Sequence, residues 1–508
     1  MHATNTPETV HEMLAHVGLA ISTTSTNNAV SNLSANAMKQ IRTLGQTMNV
    51  LYAYDNIDIQ LKYSTPTVER PEDTLIHLTS ATMLPLNHGV QAMDLHDIPR
   101  VSLFILPERL LQIHPEPAPA APFTLTRRDL FNKYIFLRDL VMHAPHPYFH
   151  TLRNHLKCPD AIEKIPVTKT AQFPLSALDI NPSSTAGNSE VLMSILQQGG
   201  VGDVSENPSV TDIADYAVLV AGDLLTGDRI RSLQESRSIK STRWRRMEFL
   251  KFVMGLFHLK MACADAIWRI FIKSFKSRPD PTSLIEMIGQ IRPHETGKFT
   301  SGTTFRRMHE AIQHVGIILR QDCWRLKAKQ KNATFTSLHE FAMSKPSWDE
   351  LEAMADEICR EYVANPEDLS EQRSMNQVAQ RDQQYENSLL LQEYLLLYEE
   401  LSYAMNIGDI GRVESCFLPW IWIFHACGKH KYAADMKRYL ENVHFQFPKE
   451  LRCFKLNAML RNIPMTFYHS HAIRMNILCN PLGKEGHFRA IDWLVEWNNL
   501  YIKVCQYS

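Results

Sequence analysis

Three acidic side chains stand at positions that suit metal-dependent chemistry. Asp55 follows the apolar run 48–54, Asp223 ends the strand-like run 215–223, and Glu496 lies on an amphipathic segment near the C-terminus. Carboxylates that converge repel one another and generally need a divalent cation between them. Three carboxylates can hold the two metal ions of a phosphodiester-cleaving centre. The pattern therefore predicts that these three acids are catalytic and bind Mg²⁺ or Mn²⁺, although each also has an ordinary explanation as a solvated turn or helix acid.

The third acid has a neighbour of the same type. Asp492 and Glu496 are four residues apart, so they share one face of a helix. Glu496 lies beside the apolar face of that helix and can reach inward. We therefore choose Glu496, rather than Asp492, as the predicted ligand.

A basic segment follows the second acid. Residues 237–246 read RSIKSTRWRR. Arginines bind phosphates and an aromatic ring can stack on a base, so the segment predicts a contact with DNA that borders the acidic site. The residues chosen for this contact are Arg243, Trp244, Arg245 and Arg246. The alternative is a solvated helix end that pairs with the acid-rich region 346–400.

Histidine and cysteine patterns give weaker indications of a metal. His258 stands in the segment GLFHLKM, and no second histidine follows it at ligand spacing, so a core histidine at the start of a helix is the favoured interpretation. The cysteines and histidines between 416 and 430 are embedded in aromatic residues typical of a core. Zinc sites usually draw on two separated pairs of ligands, which this segment does not offer.

The acids require particular elements to position them. Residues 48–54, 57–61 and 75–84 are strand candidates that predict an antiparallel meander. The run 215–223 is fully apolar at its centre, which fits a strand buried on both faces. If the first strand and this one are neighbours, Asp55 and Asp223 lie at the same edge of one sheet, where α/β folds place their sites.

Beyond residue 262 helical periodicity replaces the strand signals. Long helices are predicted near 283–291, 304–330, 347–363 and 385–405, and a last helix near 488–504. The order strand-Asp, strand-Asp, helix-Glu is the one that an RNase H-like core requires. We therefore predict a mixed α/β, mostly helical fold, with an RNase H-like α/β core interrupted by a large all-α insertion. Its parts are a weakly ordered N-terminal region (1–45), the core (46–260) with a Pro-rich linker (112–123), the insertion (262–471) and the closing helix of the core (472–508).

Composition excludes several classes of protein. Lys and Arg number 53 and Asp and Glu 54, so a uniformly basic nucleic-acid coat is excluded, although a local basic face is not. The most apolar stretch, 417–426, is about half of what spans a bilayer, and the start of the chain predicts no secretory signal. Nine scattered cysteines without a CxxC pair indicate a reducing compartment. We expect an intracellular protein that has no membrane partner and is nuclear rather than cytoplasmic.

Five segments resemble an uncharacterised fungal family, the domain of unknown function 6589, which is expanded in basidiomycetes. The segments are YDNIDI (54–59), GDLLTGDRI (222–230), GLFHLKM (255–261), NIGDIGRVESCFLPW (406–420) and NPLGKEGHFRAIDWLVEWNNLYIK (480–503). The resemblance runs from about residue 45 to the end. It carries no assigned activity, but the expansion of the family looks like that of mobile elements, which implies a transposon origin.

These observations lead to one predicted function and two alternatives. The prediction is a transposon-derived, DDE transposase-like protein, active or decayed, because several DDE transposases carry a helical insertion before their last helix. As an enzyme it would be a Mg²⁺- or Mn²⁺-dependent transposase or nuclease-like nucleotidyl transferase. The alternatives are a non-catalytic nuclear DNA-binding protein and a helical interaction protein without a nucleic-acid role.

Overall fold

The computed structural model describes residues 6–61, 74–95, 107–116, 125–213, 215–273, 280–377, 380–445 and 465–507. The protein is mixed α/β and 61% helical, with a small mixed sheet, which confirms the predicted class at that level. The strands of the described residues are β1 (Val50–Leu61), β2 (Thr74–Pro85), β3 (Phe173–Pro174), β4 (Val201–Gly202), β5 (Thr211–Asp212), β6 (Val218–Gly222), β7 (Leu250–Met254), β8 (Leu478–Cys479) and β9 (Arg489–Ala490).

The helices fall into a group around the sheet and a long run after β7. The helices up to β7 are α1 (Glu8–His16), α2 (Thr23–Gly45), α3 (Pro107–Leu110), α4 (Arg127–His143), α5 (Pro147–Thr151), α6 (Thr185–Gln198), α7 (Leu224–Ser236) and α8 (Arg243–Arg246). The later helices are α9 (Leu256–Phe271), α10 (Leu284–Ile291), α11 (Thr296–Ser301), α12 (Phe305–Lys331), α13 (Leu338–Met343), α14 (Trp348–Tyr362), α15 (Pro366–Met375), α16 (Gln383–Ile407), α17 (Ile410–Ala426), α18 (His430–His444), α19 (Met465–Asn476) and α20 (Ile491–Tyr507).

The main sheet has the strand order β3-β2-β1-β6-β7. The central strand β1 is antiparallel to β2 and parallel to β6, and β6 is parallel to β7. Leu51 pairs with Leu219 and Ala53 with Ala221, which confirms the predicted adjacency of the first strand and the 215–223 strand. The other two strand pairs, β4 with β5 and β8 with β9, are separate small ribbons.

The prediction that the first strand ends at Asp55 is wrong. β1 continues to Leu61, so the candidates 48–54 and 57–61 are one strand, paired along its whole length with β2. The alternation of side chains explains the continuation, because Ile57 and Ile59 are buried on the same face as Leu51. Pairing with β6 stops at Ala53, so Asp55 lies on β1 just where that neighbouring strand ends.

Both faces of the sheet are buried, which explains why β6 is entirely apolar. Tyr52 and Val220 belong to a cluster with Leu192 of α6 and Ile230 of α7. Side chains of the opposite face, including Leu51, pack with α9, α20 and the helices that follow β7. The sheet is therefore the middle of three layers.

The helices predicted near 283–291, 304–330, 347–363 and 385–405 are confirmed as α10, α12, α14 and α16. Among the described residues between 262 and 471 there are helices and no strand. We expected these helices to bury a core of their own, and this expectation is wrong. Helices α12, α13 and α14 form a cluster with α4 and α5, which precede the predicted insertion. Trp420 and Leu395 share one continuous cluster with Leu51 and Leu219 of the sheet.

Two further observations concern regions of the sequence-based division. Helix α4 lies in the region assigned to the α/β core but packs with the later helices, and the Trp324 indole donates a hydrogen bond to the Phe136 carbonyl at 3.0 Å. The N-terminal region, expected to be weakly ordered, contains helix α2, capped by the Ser22 side chain. Of the predicted linker 112–123, residues 117–123 lie outside the described residues.

Candidate active site

The carboxyl ends of β6 and β7 are each followed at once by a helix, and the acids gather at this edge. Asp223 caps α7, accepting a hydrogen bond from the Thr226 backbone N–H at 2.7 Å. The last residue pair between β1 and β6 is Ala53 with Ala221. Asp55 and Asp223 follow this pair at the same distance along their strands. The two predicted acids therefore stand at the same edge of the sheet.

Helix α20 lies across the β1–β2 hairpin and brings the third acid to this edge. The buried Asn499 amide donates a hydrogen bond to the Asn56 carbonyl at 3.2 Å and accepts one from the Ser80 hydroxyl. These two bonds fix α20 over β1, one turn away from Glu496. The orientation directs the Glu496 face of the helix toward Asp55.

Asp55, His258 and Glu496 form a group in which one ligand-type atom from each residue lies within 4.8 Å of the others. The Nε2 atom of His258 is 3.6 Å from Oε1 of Glu496. Of the three predicted ligands, the structure thus brings Asp55 and Glu496 together. Asp223 does not belong to this group, but its charge acts on Asp55, as the pKa of that carboxyl shows.

Asp492 is a residue of this site that sequence reasoning passed over. Its side chain is buried and accepts hydrogen bonds from the backbone N–H groups of Phe257 at 3.0 Å and His258 at 2.9 Å. It also contacts the Nδ1 atom of His258 at 2.9 Å. The capping residue of α9 is Gly255, which has no side chain for this purpose, so Asp492 supplies the cap from another helix. The four-residue spacing to Glu496 was the available signal.

His258 differs from the predicted core histidine. It lies in the first turn of α9, as expected, but its ring lies between Asp492 and Glu496 rather than in an apolar environment. Its side chain is 19% exposed. The histidine is therefore part of the acidic cluster, and it links the two acids of α20.

The surroundings of the cluster raise the pKa of both Asp55 and His258, which favours the neutral form of the acid and the charged form of the histidine. Burial, and next the negative charge of Glu496, raise the pKa of Asp55 to about 7, while the Asn56 backbone N–H and His258 act against this shift. Burial alone would lower the pKa of His258, but the contacts with Asp492 and Glu496 outweigh it and raise the pKa to about 10. At neutral pH His258 is therefore an imidazolium that neutralises part of the acidic charge.

The basic segment does not border the acids, contrary to our expectation. Helix α8 precedes β7 and therefore lies near the amino ends of β6 and β7, at the opposite edge of the sheet from Asp223. Trp244 is buried, stacks on Phe249 with 5.2 Å between ring centroids, and donates a hydrogen bond to Glu206. Its ring is part of the core, so it is not exposed for stacking on a base.

The arginines of this segment make local contacts. Arg246 pairs with Glu248 at 2.8 Å, and Arg245, which is 58% exposed, lies 3.5 Å from Glu206. Arg243 is half-buried. Of the three, Arg245 offers the most side-chain surface to a ligand.

The chain belongs to a family of unknown function, DUF6589, whose model matches residues 124–507. The match includes Asp223, His258, Asp492 and Glu496, whereas Asp55 and β1 lie before it. The resemblance seen in the sequence is confirmed over this range, which begins later than the predicted start near residue 45. No curated protein and no solved structure matches the chain.

No helix within the described residues combines the length and the apolar character that crossing a membrane requires. The longest, α12, spans 27 residues and carries charged side chains along its length.

Proposed function

We propose that this protein is a DDE transposase-like protein of fungal mobile-element origin, built on an RNase H-like core and acting on DNA in the nucleus. The proposed reaction is metal-dependent cleavage or transfer of a DNA strand. The observation that carries the proposal is the convergence of Asp55 and Glu496, which are 441 positions apart in the chain, at one edge of the sheet.

The topology supports the RNase H-like assignment. A meander whose first strand is central, followed by two strands parallel to that first strand, corresponds to the strand order of such a core. Here β1 is central, β2 and β3 extend the sheet on one side, and β6 and β7 extend it on the other. Helix α20 then closes the core after the helical region, which corresponds to the position of a transposase insertion.

The residues present fit a divalent cation. Two carboxylates and an imidazole meet within a few ångströms. His258 would join the ligands only by releasing its Nε2 proton, and this mixture of oxygen and nitrogen atoms would then suit Mn²⁺ better than the all-oxygen environment that Mg²⁺ prefers. Asp55 and Glu496 would bind the metal, with Asp223 as the third acid, and the metal would activate the attacking oxygen and stabilise the leaving one. Asp492 would hold His258 and the start of α9 in place.

The proposed DNA contact differs from the one that the sequence predicted, because the basic segment does not border the acids. Arg243, Arg245 and Arg246 lie at the far edge, so they would hold phosphates away from the reacting bond. Trp497 follows Glu496 directly, is 54% exposed and stacks on Trp493 at 5.7 Å between centroids. An exposed indole beside the acids is suited to stacking on a base near the cleavage point.

The test is a set of melting curves with and without Mn²⁺ on four proteins. Metal that binds only the folded chain should stabilise it by about 2.7 kcal/mol at a hundredfold excess over Kd. Asp55→Asn and Glu496→Gln should lose most of this response together with any Mn²⁺-dependent nicking of DNA. Asp58→Asn is the matched control, because Asp58 is on the same strand but exposed and paired with His77.

DNA binding is measured separately. Arg245→Ala and Trp497→Ala should weaken binding, whereas Asp55→Asn should not, because phosphate contacts are independent of the chemistry. An equal Mn²⁺ response in the control and in Glu496→Gln would remove Glu496 from the site. No Mn²⁺ response in the wild type would favour the alternative below.

The alternative is a non-catalytic descendant that binds DNA or another protein. One observation favours it: His258 already lies within ion-pair distance of both Asp492 and Glu496, so the cluster carries its own cation. DNA binding without metal stabilisation and without nicking is the expected result in that case.

A further inference from the structure

A second cluster of ligand-type side chains shares no residue with the Asp55 site. His114 follows α3, Glu414 lies on α17, and His444 ends α18. Both imidazole Nε2 atoms approach the same carboxylate oxygen, Oε2 of Glu414, at 2.7 Å from His114 and 3.0 Å from His444. All three ligand-type atoms lie within 4.8 Å of one another. The Glu414 side chain is fully buried.

One oxygen of the Glu414 carboxylate is approached by more hydrogen-bond donors than it can accept. Besides the two imidazoles, Nη2 of Arg474 donates to Oε2 at 2.9 Å, so three donors compete for the two lone pairs of one oxygen. The other oxygen, Oε1, accepts from Nε of Arg474 at 2.8 Å and from the Tyr439 hydroxyl at 3.1 Å. If a cation were bound by the two imidazoles and Oε2, both Nε2 atoms would bind the cation instead of donating hydrogen bonds to Oε2. A single metal–oxygen bond would then replace two competing hydrogen bonds.

The surroundings are those of a supported metal ligand. Arg474 and Tyr439 fix the orientation of Glu414, as outer hydrogen bonds do for ligating carboxylates. Arg474 is itself paired with Glu163, at 2.7 Å between Nη1 and Oε1. With neutral histidines, these two glutamates and one arginine leave a net charge of −1, which attracts a cation.

The backbone is also arranged to bring His114 into the cluster. His114 has a φ of 53°, a left-handed conformation that is uncommon for a residue other than glycine. Its carbonyl accepts a hydrogen bond from Arg127 at 3.2 Å, which holds the segment in this shape. The imidazoles of His114 and His444 keep 13% and 19% of their surface exposed, so a water molecule or other small ligand can reach them.

We propose that His114, Glu414 and His444 bind a divalent transition metal, with Zn²⁺ as the best match. Two imidazole nitrogens and one carboxylate oxygen are a common zinc ligand set, and they leave a fourth position for water. The metal would join the 107–116 segment to α17 and α18. This site is independent of the proposed DNA chemistry and requires a different kind of metal.

The test uses the full chain, stripped of metal by a chelator and titrated with ZnCl₂ in a calorimeter. We expect one tight equivalent of Zn²⁺ in the wild type and binding at least a hundredfold weaker in His114→Gln and His444→Gln. Glu496→Gln should keep the tight equivalent, which separates this site from the Asp55 site. His425→Gln is the control for adventitious binding, because exposed His425 and His430 lie 3.3 Å apart through their Nδ1 atoms.

Three outcomes would overturn the proposal: a wild type without a stoichiometric zinc, unchanged binding in both cluster variants, or loss of the tight equivalent in His425→Gln. If the cluster variants do not fold, the X-ray absorption spectrum of the zinc-loaded wild type decides. Two imidazoles and a carboxylate around the metal support the proposal, and a shell of oxygens alone contradicts it.

Discussion

At the scale of single residues, the acids of α20 have separate tasks. Glu496 is partly exposed and lies close to Asp55 and His258. Asp492 is buried and accepts hydrogen bonds from the backbone at the start of α9. A buried carboxylate that accepts several N–H groups holds its neighbours in a fixed geometry. Asp492 therefore acts on the site by positioning His258, and it contributes to stability directly.

The first prediction concerns this buried carboxylate. Asp492→Asn should lower the free energy of unfolding by about 1.5–3 kcal/mol, the usual worth of a hydrogen bond to a charged group. Urea titrations measure the difference. The control is Asp322→Asn, an acid 49% exposed in a surface ion pair with Arg325, for which a loss below about 1 kcal/mol is expected. Equal losses in the two variants would contradict the capping role.

The second prediction follows from the protonation of Asp55. Its pKa is about 7 in the folded chain, against an ordinary value of 3.8, so at intermediate pH the folded chain keeps a proton that the unfolded chain has released. In the absence of divalent metal, stability should therefore fall as pH rises between about 4 and 7. Asp55→Asn cannot ionise and should show a smaller fall in the free energy of unfolding.

The comparison is made by urea unfolding across that pH range, with the chelator present throughout. Asp58→Asn serves as the reference, since Asp58 is an exposed acid on the same strand. Wild-type and Asp55→Asn curves that run parallel over the whole range would show that Asp55 is not protonated in the folded state.

At the scale of elements, the turn from β7 into α9 decides how closely the edge of the sheet can approach α20. A side chain at Gly255 would place its Cβ 2.6 Å from the Gly222 carbonyl oxygen and still nearer to the Asp492 carboxylate. The glycine backbone donates a hydrogen bond to that same Gly222 carbonyl at 2.9 Å. Close packing of strand end, helix start and closing helix therefore requires glycine here.

The third prediction tests this close approach. Gly255→Ala should destabilise the chain by roughly 1–3 kcal/mol, because backbone and a buried carboxylate have to move. It should also weaken the Mn²⁺ response, since His258 would shift with the start of α9. Gly289→Ala is the control: it lies inside α10 and its nearest contact would be 3.4 Å away, so alanine should be neutral or stabilising. Melting curves that rank the two substitutions the other way would refute the argument.

At the scale of the whole molecule, the sheet and the later helices are one structure. The cluster that contains Leu51 of β1 and Val253 of β7 also contains Trp420 of α17 and Met436 of α18. A core that is shared in this way couples the two parts, because part of the apolar surface of each is buried only against the other, even though the opposite face of the sheet and helices α12, α13 and α14 also belong to separate clusters. Helices α9, α16, α17 and α18 therefore share the core of the sheet.

The fourth prediction uses two tryptophans on one helix. Trp420 is fully buried in the shared core and Trp422 is 70% exposed. Trp420→Ala should cost about 3–5 kcal/mol and lower the melting temperature of helix and sheet together, in a single transition. Trp422→Ala should remain within about 0.5 kcal/mol of the wild type. Two separate transitions in circular dichroism, or a sheet that survives Trp420→Ala, would contradict the shared core.

The sequence by itself determined the local elements and some of the site. The apolar run 48–54 and the alternation at 57–61 located β1, although as two strands, and the run 75–84 located β2. The fully apolar run identified β6, and helical periodicity located α10, α12, α14, α16 and α20. These patterns are readable because burial on one face or both imposes a period on a single segment. The same patterns selected Asp55 and Glu496, which the fold brings together.

Only the tertiary structure decided relations between distant segments. It showed that Asp492 caps α9, that α8 lies at the edge opposite Asp223, and that Trp244 is a core residue. It also brought His114 to a carboxylate 300 residues away. The physical reason is that a hydrogen bond or a ligand set depends on distance in space, and spacing along the chain predicts that distance only within one helix or one pair of strands.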